Sequence, residues 1–152
     1  MSQPMSLPET GRTLLIVEDE VLPAMTLRDE LERAGYHVMD LTDRYQEAVA
    51  AARECRPDLA LVNIQLQGRD HGIELATELK GMGVPVLFIS GQTSRARSAA
   101  TVAIGSLPKP YHPLDMVQAV NYLLAHLTGA ETGPAPAGLE VFDENGAVPD
   151  AV

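Results

Sequence analysis

Two carboxylates, an amide, a hydroxyl and an ammonium group stand at or just after the ends of apolar stretches of the chain. Carboxylate and carbonyl oxygens are the ligands of a hard divalent cation such as Mg²⁺, which usually keeps some of its water. A hydroxyl and an ammonium group can hold phosphoryl oxygens. If the fold gathers these groups, they form a coherent site for a cation and a phosphoryl group. The five residues are Glu18, Asp19, Asn63, Ser90 and Lys109.

The elements that must position these groups alternate between strands and helices. Apolar runs bounded by turn residues predict buried strands, and apolar residues at helical spacing predict helices. Five such alternations predict an α/β fold, a doubly wound five-stranded parallel sheet with helices on both faces. Because ligands bind beyond the carboxyl ends of such strands, the five groups should meet at one edge. The predicted strands are 13–17, 36–41, 58–63, 84–89 and 105–108, and the predicted helices are 22–34, 45–54, 73–82, 95–102 and 112–127.

Composition limits the class of protein. The 152 residues suit one domain, and 45% hydrophobic residues predict a folded chain. The sequence has no bilayer-spanning run and no secretory signal, and its single cysteine, Cys55, suits a reducing compartment. The formal net charge of -10 argues against nucleic-acid binding, which needs a basic face. We therefore expect a cytoplasmic protein that contacts neither nucleic acid nor membrane.

The chain divides into three predicted parts. Residues 1–12 hold proline and glycine without periodicity and are predicted to be a flexible tail, and residues 13–127 form the domain. Residues 128–152 are rich in Gly, Pro, Ala and acids and are predicted to be disordered, although the apolar stretch 139–142 could dock on the domain. We expect no output domain after residue 127.

The five groups and their neighbours resemble the receiver domain of bacterial response regulators in two-component signalling. The resemblance covers about 13–127 and implies a flavodoxin- or CheY-like sheet with the strand order 2-1-3-4-5. Each matching block is short, but the five occur in the family's order and spacing. The blocks are LIVEDE at 15–20, PDLALVN at 57–63, GIEL at 72–75, PVLFISG at 85–91 and LPKP at 107–110.

The resemblance implies a role for four of the five groups. Glu18 and Asp19 match the acidic pair that binds Mg²⁺ in the family. Ser90 matches the hydroxyl residue that turns toward the phosphoryl group. Lys109 matches the lysine that precedes a proline, and that Lys-Pro bond is usually cis in the family.

Two positions depart from the family. Asn63 stands where the family has its phosphoacceptor aspartate, and Ser106 stands at a switch position that is often aromatic. An amide oxygen is neutral and a poor nucleophile, so Asn63 should form no stable acyl phosphate. With one charge fewer, Mg²⁺ should bind more weakly, and Lys109 could satisfy Glu18 and Asp19 without a metal. The sequence predicts a site that keeps its shape and loses its reaction.

Three functions remain open on this basis. The first is a stand-alone pseudo-receiver, not an enzyme, that docks on a sensor histidine kinase or another signalling protein. Its docking surface would be the fourth helix, the fifth strand and the fifth helix, which could also form a homodimer. The second is an ordinary phosphoacceptor receiver in which Asn63 is an engineered substitution. The third, a nucleotide- or flavin-binding enzyme on the same fold, is disfavoured because the acidic turn at 18–20 would repel phosphate.

Overall fold

The apolar stretches form strands, and a helix follows each of the first five. The computed structural model describes residues 11–66 and 71–142. The strands are β1 (Thr13–Val17), β2 (His37–Thr42), β3 (Leu59–Asn63), β4 (Val86–Ser90), β5 (Gly105–Pro108) and β6 (Glu140–Val141). The helices are α1 (Val21–Arg33), α2 (Tyr45–Glu54), α3 (His71–Gly81), α4 (Thr93–Ser98) and α5 (Pro113–Leu127).

The strands form a single sheet in the order β2-β1-β3-β4-β5-β6. The first five are parallel to their neighbours, and β6 runs antiparallel beside β5. Every residue of β3 and β4 is buried, which is typical of parallel strands covered on both faces. The predicted CheY-like sheet is confirmed, and β6 is an addition that the strand pattern did not predict.

Helices cover both faces and divide the core into two clusters. One cluster lies between the sheet and α2, α3 and α4, and the other lies between the sheet and α1 and α5. The neighbours Leu61 and Val62 of β3 belong to different clusters, because successive side chains of a strand point to opposite faces. Within the described ranges, no helix has the length and apolarity needed to cross a bilayer.

The fourth helix is shorter than predicted. It ends at Ser98, whereas the sequence predicted a helix over 95–102. The backbone N–H groups of Ala99, Ala100 and Val102 each donate to a carbonyl three residues earlier, so the chain tightens into turns. Ala99, Ala100 and Ala103 of this stretch are buried in the core.

The described part of the predicted C-terminal tail includes the apolar stretch 139–142, which packs against the sheet. Leu139 is 8% exposed and Phe142 is 5% exposed, and the two side chains lie in different clusters. Burial of these apolar side chains offsets the conformational entropy that is lost when the segment is ordered. The remaining residues of that segment, 143–152, lie outside the described residues, as do residues 1–10 of the predicted N-terminal tail.

Candidate functional site

The polar groups at the strand ends meet at the C-terminal edge of the sheet. Asn63 and Ser90 end β3 and β4, Glu18 directly follows β1, and Lys109 directly follows β5. The parallel register places Asn63 opposite Ile89, the neighbour of Ser90. Glu18 is only 2% exposed at this edge. The cleft there has a volume of about 450 Å³ and is lined by Asp19, Glu20, Asn63, Ile64, Gln65, Ser90, Gly91, Gln92, Arg95 and Lys109.

The side-chain amide of Asn63 joins the acidic residues to β3. Asn63 is 5% exposed, and its Nδ2 donates to Oε2 of Glu18 at 2.8 Å and to Oδ1 of Asp19 at 3.1 Å. An amide nitrogen has two hydrogens to donate, and both have carboxylate partners here. The N–H groups of the Asn63 amide therefore lie between the carboxylates of Glu18 and Asp19.

Lys109 pairs with two acidic residues, one of which was not predicted. Its Nζ lies 3.0 Å from Oε1 of Glu18 and 2.9 Å from Oε1 of Glu20. The sequence predicted pairing of Lys109 with Glu18 and Asp19, but its second carboxylate partner is Glu20, and Asp19 accepts from Asn63. Glu20 was thus missed as a site residue, although it continues the acidic run after β1.

Burial and pairing act in opposite directions on the two charged groups at the centre. Burial raises the pKa of Glu18, and the neighbouring Lys109 opposes this shift without cancelling it. Burial acts to lower the pKa of Lys109, but hydrogen bonds to Glu20 and Glu18 outweigh it and raise that pKa. Oε2 of Glu18 also accepts from the backbone N–H of Asp19 at 2.9 Å. Oε2 of Glu18 thus accepts from Asn63 and from the backbone of Asp19, while Oε1 faces the ammonium group of Lys109.

Ser90 lines the cleft, but its hydroxyl makes hydrogen bonds to the backbone of the turn that follows β4. Its Oγ accepts from the backbone N–H of Gln92 at 2.9 Å and lies 3.0 Å from the carbonyl oxygen of the same residue. This is the local hydroxyl-to-backbone pattern common in turns. The geometry fits a turn residue whose side chain remains at the wall of the cleft.

Ser106 lies away from the cleft. It is a buried residue of β5 and faces a separate groove, which Leu139 and Glu140 also line. The switch position that the resemblance assigned to it therefore lies beside the C-terminal part of the described chain. The peptide bond between Lys109 and Pro110 is cis.

The carboxylates of Glu18 and Asp19 are hard oxygen ligands of the kind that Mg²⁺ prefers. In the observed arrangement, however, their oxygens accept from Asn63, and Lys109 adds a positive charge beside Glu18. No group of three or more acidic, His or Cys side chains in the described residues is arranged to hold a metal. As arranged, the site fits internal pairing better than a cation.

Comparison with known proteins gives this arrangement a family. The family model of the response regulator receiver domain matches residues 14–121. The chain belongs to the response regulator receiver family. Receiver domains are signalling domains that interact with kinases and other signalling proteins, and they generally bind Mg²⁺ at an acidic pocket.

Individual relatives support the same family. The transcriptional regulatory protein PdtaR of Mycobacterium tuberculosis is 32% identical over 116 residues, covering 72% of this chain and 55% of that protein. The chemotaxis protein CheY of Thermotoga maritima is 27% identical over 116 residues, covering 73% of this chain and 96% of CheY. The solved receiver domain of a modulated diguanylate cyclase from Desulfovibrio desulfuricans G20 is 36% identical, with a TM-score of 0.68, and the match covers 78% of this chain and 96% of that domain.

The match to the receiver family covers only part of the length of several relatives. The chain spans about half the length of several curated relatives that it matches, including 55% of PdtaR and 55% of the regulator YbdJ of Bacillus subtilis. The whole-protein activities of these relatives are therefore not carried over to this receiver.

Proposed function

We propose that this receiver signals by docking on partner proteins and that Asn63, at the phosphoacceptor position, makes docking independent of phosphorylation. The observation that carries the proposal is the orientation of the Asn63 amide, whose N–H groups point at Glu18 and Asp19. A phosphoacceptor must present an anionic oxygen to phosphorus. Asn63 presents a neutral group that is already hydrogen-bonded on its nitrogen side.

The same contacts support weak Mg²⁺ binding. A cation entering between Glu18 and Asp19 would displace two hydrogen bonds from Asn63 and meet the ammonium group of Lys109 nearby. Affinity for a hard cation also falls when a charged ligand is replaced by a neutral one. We propose that Mg²⁺ is not required for this receiver to fold or to dock.

The proposed partner is a sensor histidine kinase or another signalling protein, and the proposed face is formed by α4, β5 and α5. The lone cysteine, Cys55, is exposed, which suits a reducing compartment such as the cytoplasm. Homodimerisation through the same face stays a prediction.

Exposed apolar side chains at the start of α1 offer a second surface for a partner. They are Val21, Leu22 and Met25, with Leu22 77% exposed, and Leu114 at the start of α5 is exposed as well. The ion pair between Lys109 and Glu20 joins the two loops that precede these helices. Large exposed apolar side chains that share one site mark interaction surfaces more often than scattered ones do.

Acetyl phosphate tests the loss of the reaction. Parent and Asn63→Asp chains are incubated with acetyl phosphate and Mg²⁺, and the intact masses are measured. We expect no phosphoryl adduct on the parent and an adduct on Asn63→Asp, because only the variant has a carboxylate nucleophile. An adduct mapped to Asn63 in the parent would falsify the proposal. No adduct on either chain would show that the rest of the site has also lost the reaction.

The alternative is an ordinary phosphoacceptor receiver in which Asn63 is an engineered substitution. The observation that favours it is the retained set of Glu18, Asp19, Ser90 and Lys109 around the cleft. Pull-down from host lysate separates the two, with the parent, Asn63→Asp and Leu22→Ser chains as bait. Docking independent of phosphorylation predicts the same partners on parent and Asn63→Asp, and any partner lost on Leu22→Ser binds at the start of α1. Partners that bind only phosphorylated Asn63→Asp would support the alternative.

A further inference from the structure

Residues 129–142, here termed the arm, cover the outer edge of β5. Val141 of β6 lies opposite Gly105 of β5, and the backbone N–H of Phe142 donates to the carbonyl oxygen of Ile104 at 2.9 Å. An edge strand without such cover presents unpaired N–H and C=O groups that another strand can join. The arm therefore occupies a surface that accepts an added strand.

The close approach of the arm depends on a glycine in β5. A Cβ atom at Gly105 would lie 2.7 Å from the carbonyl oxygen of Glu140, whereas its next contacts, with the Leu123 side chain, would be ordinary at 3.6 Å. The absence of a side chain at Gly105 thus opens room for a neighbouring backbone and for little else. This edge is shaped to fit a strand.

Charge selects which strand can bind there. Nε of Arg97, in α4, donates to both carboxylate oxygens of Glu140 at 3.1 and 2.9 Å, and Nη2 of Arg97 donates to Oε2 as well. α4 carries Arg95 and Arg97 and no acidic residue, in a chain whose formal net charge is -10. Arginine pairs with a carboxylate through this forked geometry. The edge therefore favours a strand that carries a carboxylate.

Apolar contacts on both faces of the sheet complete the recognition. Leu139 packs with the cluster beneath α1 and α5, and Phe142 packs with the cluster beneath α2, α3 and α4. Residues three apart in an extended segment point to opposite faces, so one strand can place an anchor in each layer. The arm shows the pattern that the edge accepts, an apolar residue, a carboxylate, any residue and a second apolar residue.

Apart from its two apolar anchors, the arm has little regular pairing with the sheet. β6 is two residues long, and residues 129–139 contain no helix or strand. The ion pair between Arg97 and Glu140 is exposed on the arginine side, where solvent weakens it. Segments with short pairing and exposed contacts open more easily than the central strands of a sheet.

We propose that β5 and α4 form a docking site for an extended segment of a partner protein with a carboxylate between apolar residues, and that the arm is its internal competitor. The inference rests on the proposed docking role and names the chemistry of the partner segment. Release of the arm exposes the site, and return of the arm closes it. The site does not include Asn63, so its occupancy is separate from phosphoryl chemistry.

The first test releases the arm while leaving the docking surface intact. In the full chain, Glu140→Arg replaces attraction to Arg97 with repulsion. The probe is a labelled, C-terminally amidated peptide with the sequence of residues 136–142. We expect faster hydrogen exchange at the Phe142 amide in Glu140→Arg and peptide binding at least about tenfold tighter than to the parent, because apparent affinity scales with the fraction of open chains.

The second test removes the docking surface. Adding Gly105→Ala to Glu140→Arg should abolish peptide binding, because the new Cβ would collide with the added strand as it does with Glu140. Gly81→Ala in the same background is the control, since a Cβ at Gly81 meets nothing within 4 Å. A peptide with lysine in place of its glutamate should bind more weakly, because it meets Arg97 with like charge.

Several outcomes would overturn the proposal. These are an arm that stays protected in Glu140→Arg, a released arm with no gain in peptide binding, and binding that survives Gly105→Ala. Dimerisation of Glu140→Arg without peptide binding would assign the edge to a second copy of the chain instead. Every variant keeps Asn63, so failure of the peptide tests would not bear on whether Asn63 is phosphorylated. Phosphorylation of the parent by acetyl phosphate would likewise not bear on whether the peptide binds.

Discussion

Asn63 differs from an aspartate by one NH₂ group, and that group makes the two hydrogen bonds that join β3 to the acidic turn after β1. With a carboxylate at the same position, three acidic side chains would face one another, and the ammonium group of Lys109 pairs with one of them, Glu18. The amide removes that repulsion and supplies donors. At the scale of single residues, the Asn63 amide therefore supplies hydrogen-bond donors to both acidic side chains.

Asn63→Asp should therefore make stability depend on Mg²⁺. Loss of two buried donors and the added negative charge should lower the free energy of unfolding by about 1–3 kcal/mol in the presence of a chelator. Mg²⁺ should restore much of this loss in the variant and change the parent little, because binding to the folded state stabilises it. Urea denaturation of both chains, with chelator and with magnesium chloride, measures the effect. An equal gain from Mg²⁺ in the parent would contradict the internal pairing described above.

A second residue-scale prediction concerns Tyr45, which joins α2 to α3. Its hydroxyl donates to Oε1 of Glu78 at 2.5 Å, and this hydrogen bond, with burial and charge, raises the pKa of Tyr45 to about 12. Because the folded-state pKa lies above the ordinary value, the stabilisation is complete below about pH 10 and disappears as pH rises through about 12. Tyr45→Phe should cost about 1 kcal/mol at neutral pH.

Urea denaturation in steps of increasing pH measures this difference between parent and Tyr45→Phe. The gap should close at alkaline pH, as Tyr45 ionises in the parent. Tyr122→Phe is the control, since Tyr122 stacks on His126 and does not contact Glu78. A gap that stays constant up to the alkaline limit would show that Tyr45 contributes through packing and not through its hydroxyl.

At the scale of elements, the start of α3 determines where the end of β3 lies. The backbone N–H of Gly72 donates to the carbonyl oxygen of Ile64 at 2.9 Å. A Cβ at Gly72 would lie 2.2 Å from the carbonyl oxygen of Asn63 and 2.6 Å from Cα of Ile64. Both contacts are with backbone and cannot be relieved by turning a side chain. Gly72 thus lets α3 pack directly against the strand that carries Asn63.

Gly72→Ala should lower the free energy of unfolding by about 1–3 kcal/mol, the usual cost of overpacking a well-filled site. Gly81→Ala, at the other end of α3, is the matched control and should be neutral or stabilising by up to about 1 kcal/mol. Thermal and urea denaturation of the two variants give the comparison. If both alanines prove equally mild, the contact between α3 and β3 is looser than the structure indicates.

At the scale of the whole molecule, the sheet has a central part and an added edge. The strands β1, β3 and β4 are almost completely buried, whereas β6 is two residues long and half-buried. Local stability follows this difference, because regions with little buried apolar surface open without global unfolding. The arm should open as a unit of its own.

Phe142→Ala should reveal that unit. Truncating a buried phenylalanine commonly costs about 3–5 kcal/mol, and here the cost falls on the arm alone. The backbone amide of residue 142, which donates to Ile104, should then exchange at least about a hundredfold faster. The exchange rate of the Ala60 amide of β3 should not change. Native-state hydrogen exchange measures both. Leu61→Ala, in the core, is the control and should speed the exchange of both amides. Faster exchange of the Ala60 amide in Phe142→Ala would show that the arm does not open separately from the core.

The sequence by itself determined the order of strands and helices, the polar groups at the strand ends and the neutral amide at Asn63. These follow from local hydrophobic period and from the covalent chemistry of each side chain, which do not depend on distant residues. The receiver resemblance turned those elements into the strand order that the structure confirms. The five short sequence blocks were sufficient to indicate the family, because a parallel sheet brings the ends of its strands together at one edge.

Only the tertiary structure decided the partners of the charged groups and the position of the arm. Lys109 pairs with Glu20 and not with Asp19, and the nitrogen of the Asn63 amide faces the acidic side chains. Leu139 and Phe142 are buried against the sheet. Each of these contacts joins residues far apart in sequence, and its energy depends on distances that local composition does not contain. A glycine- and proline-rich segment looks disordered until Gly105 and Arg97 offer its backbone and its carboxylate a place to bind.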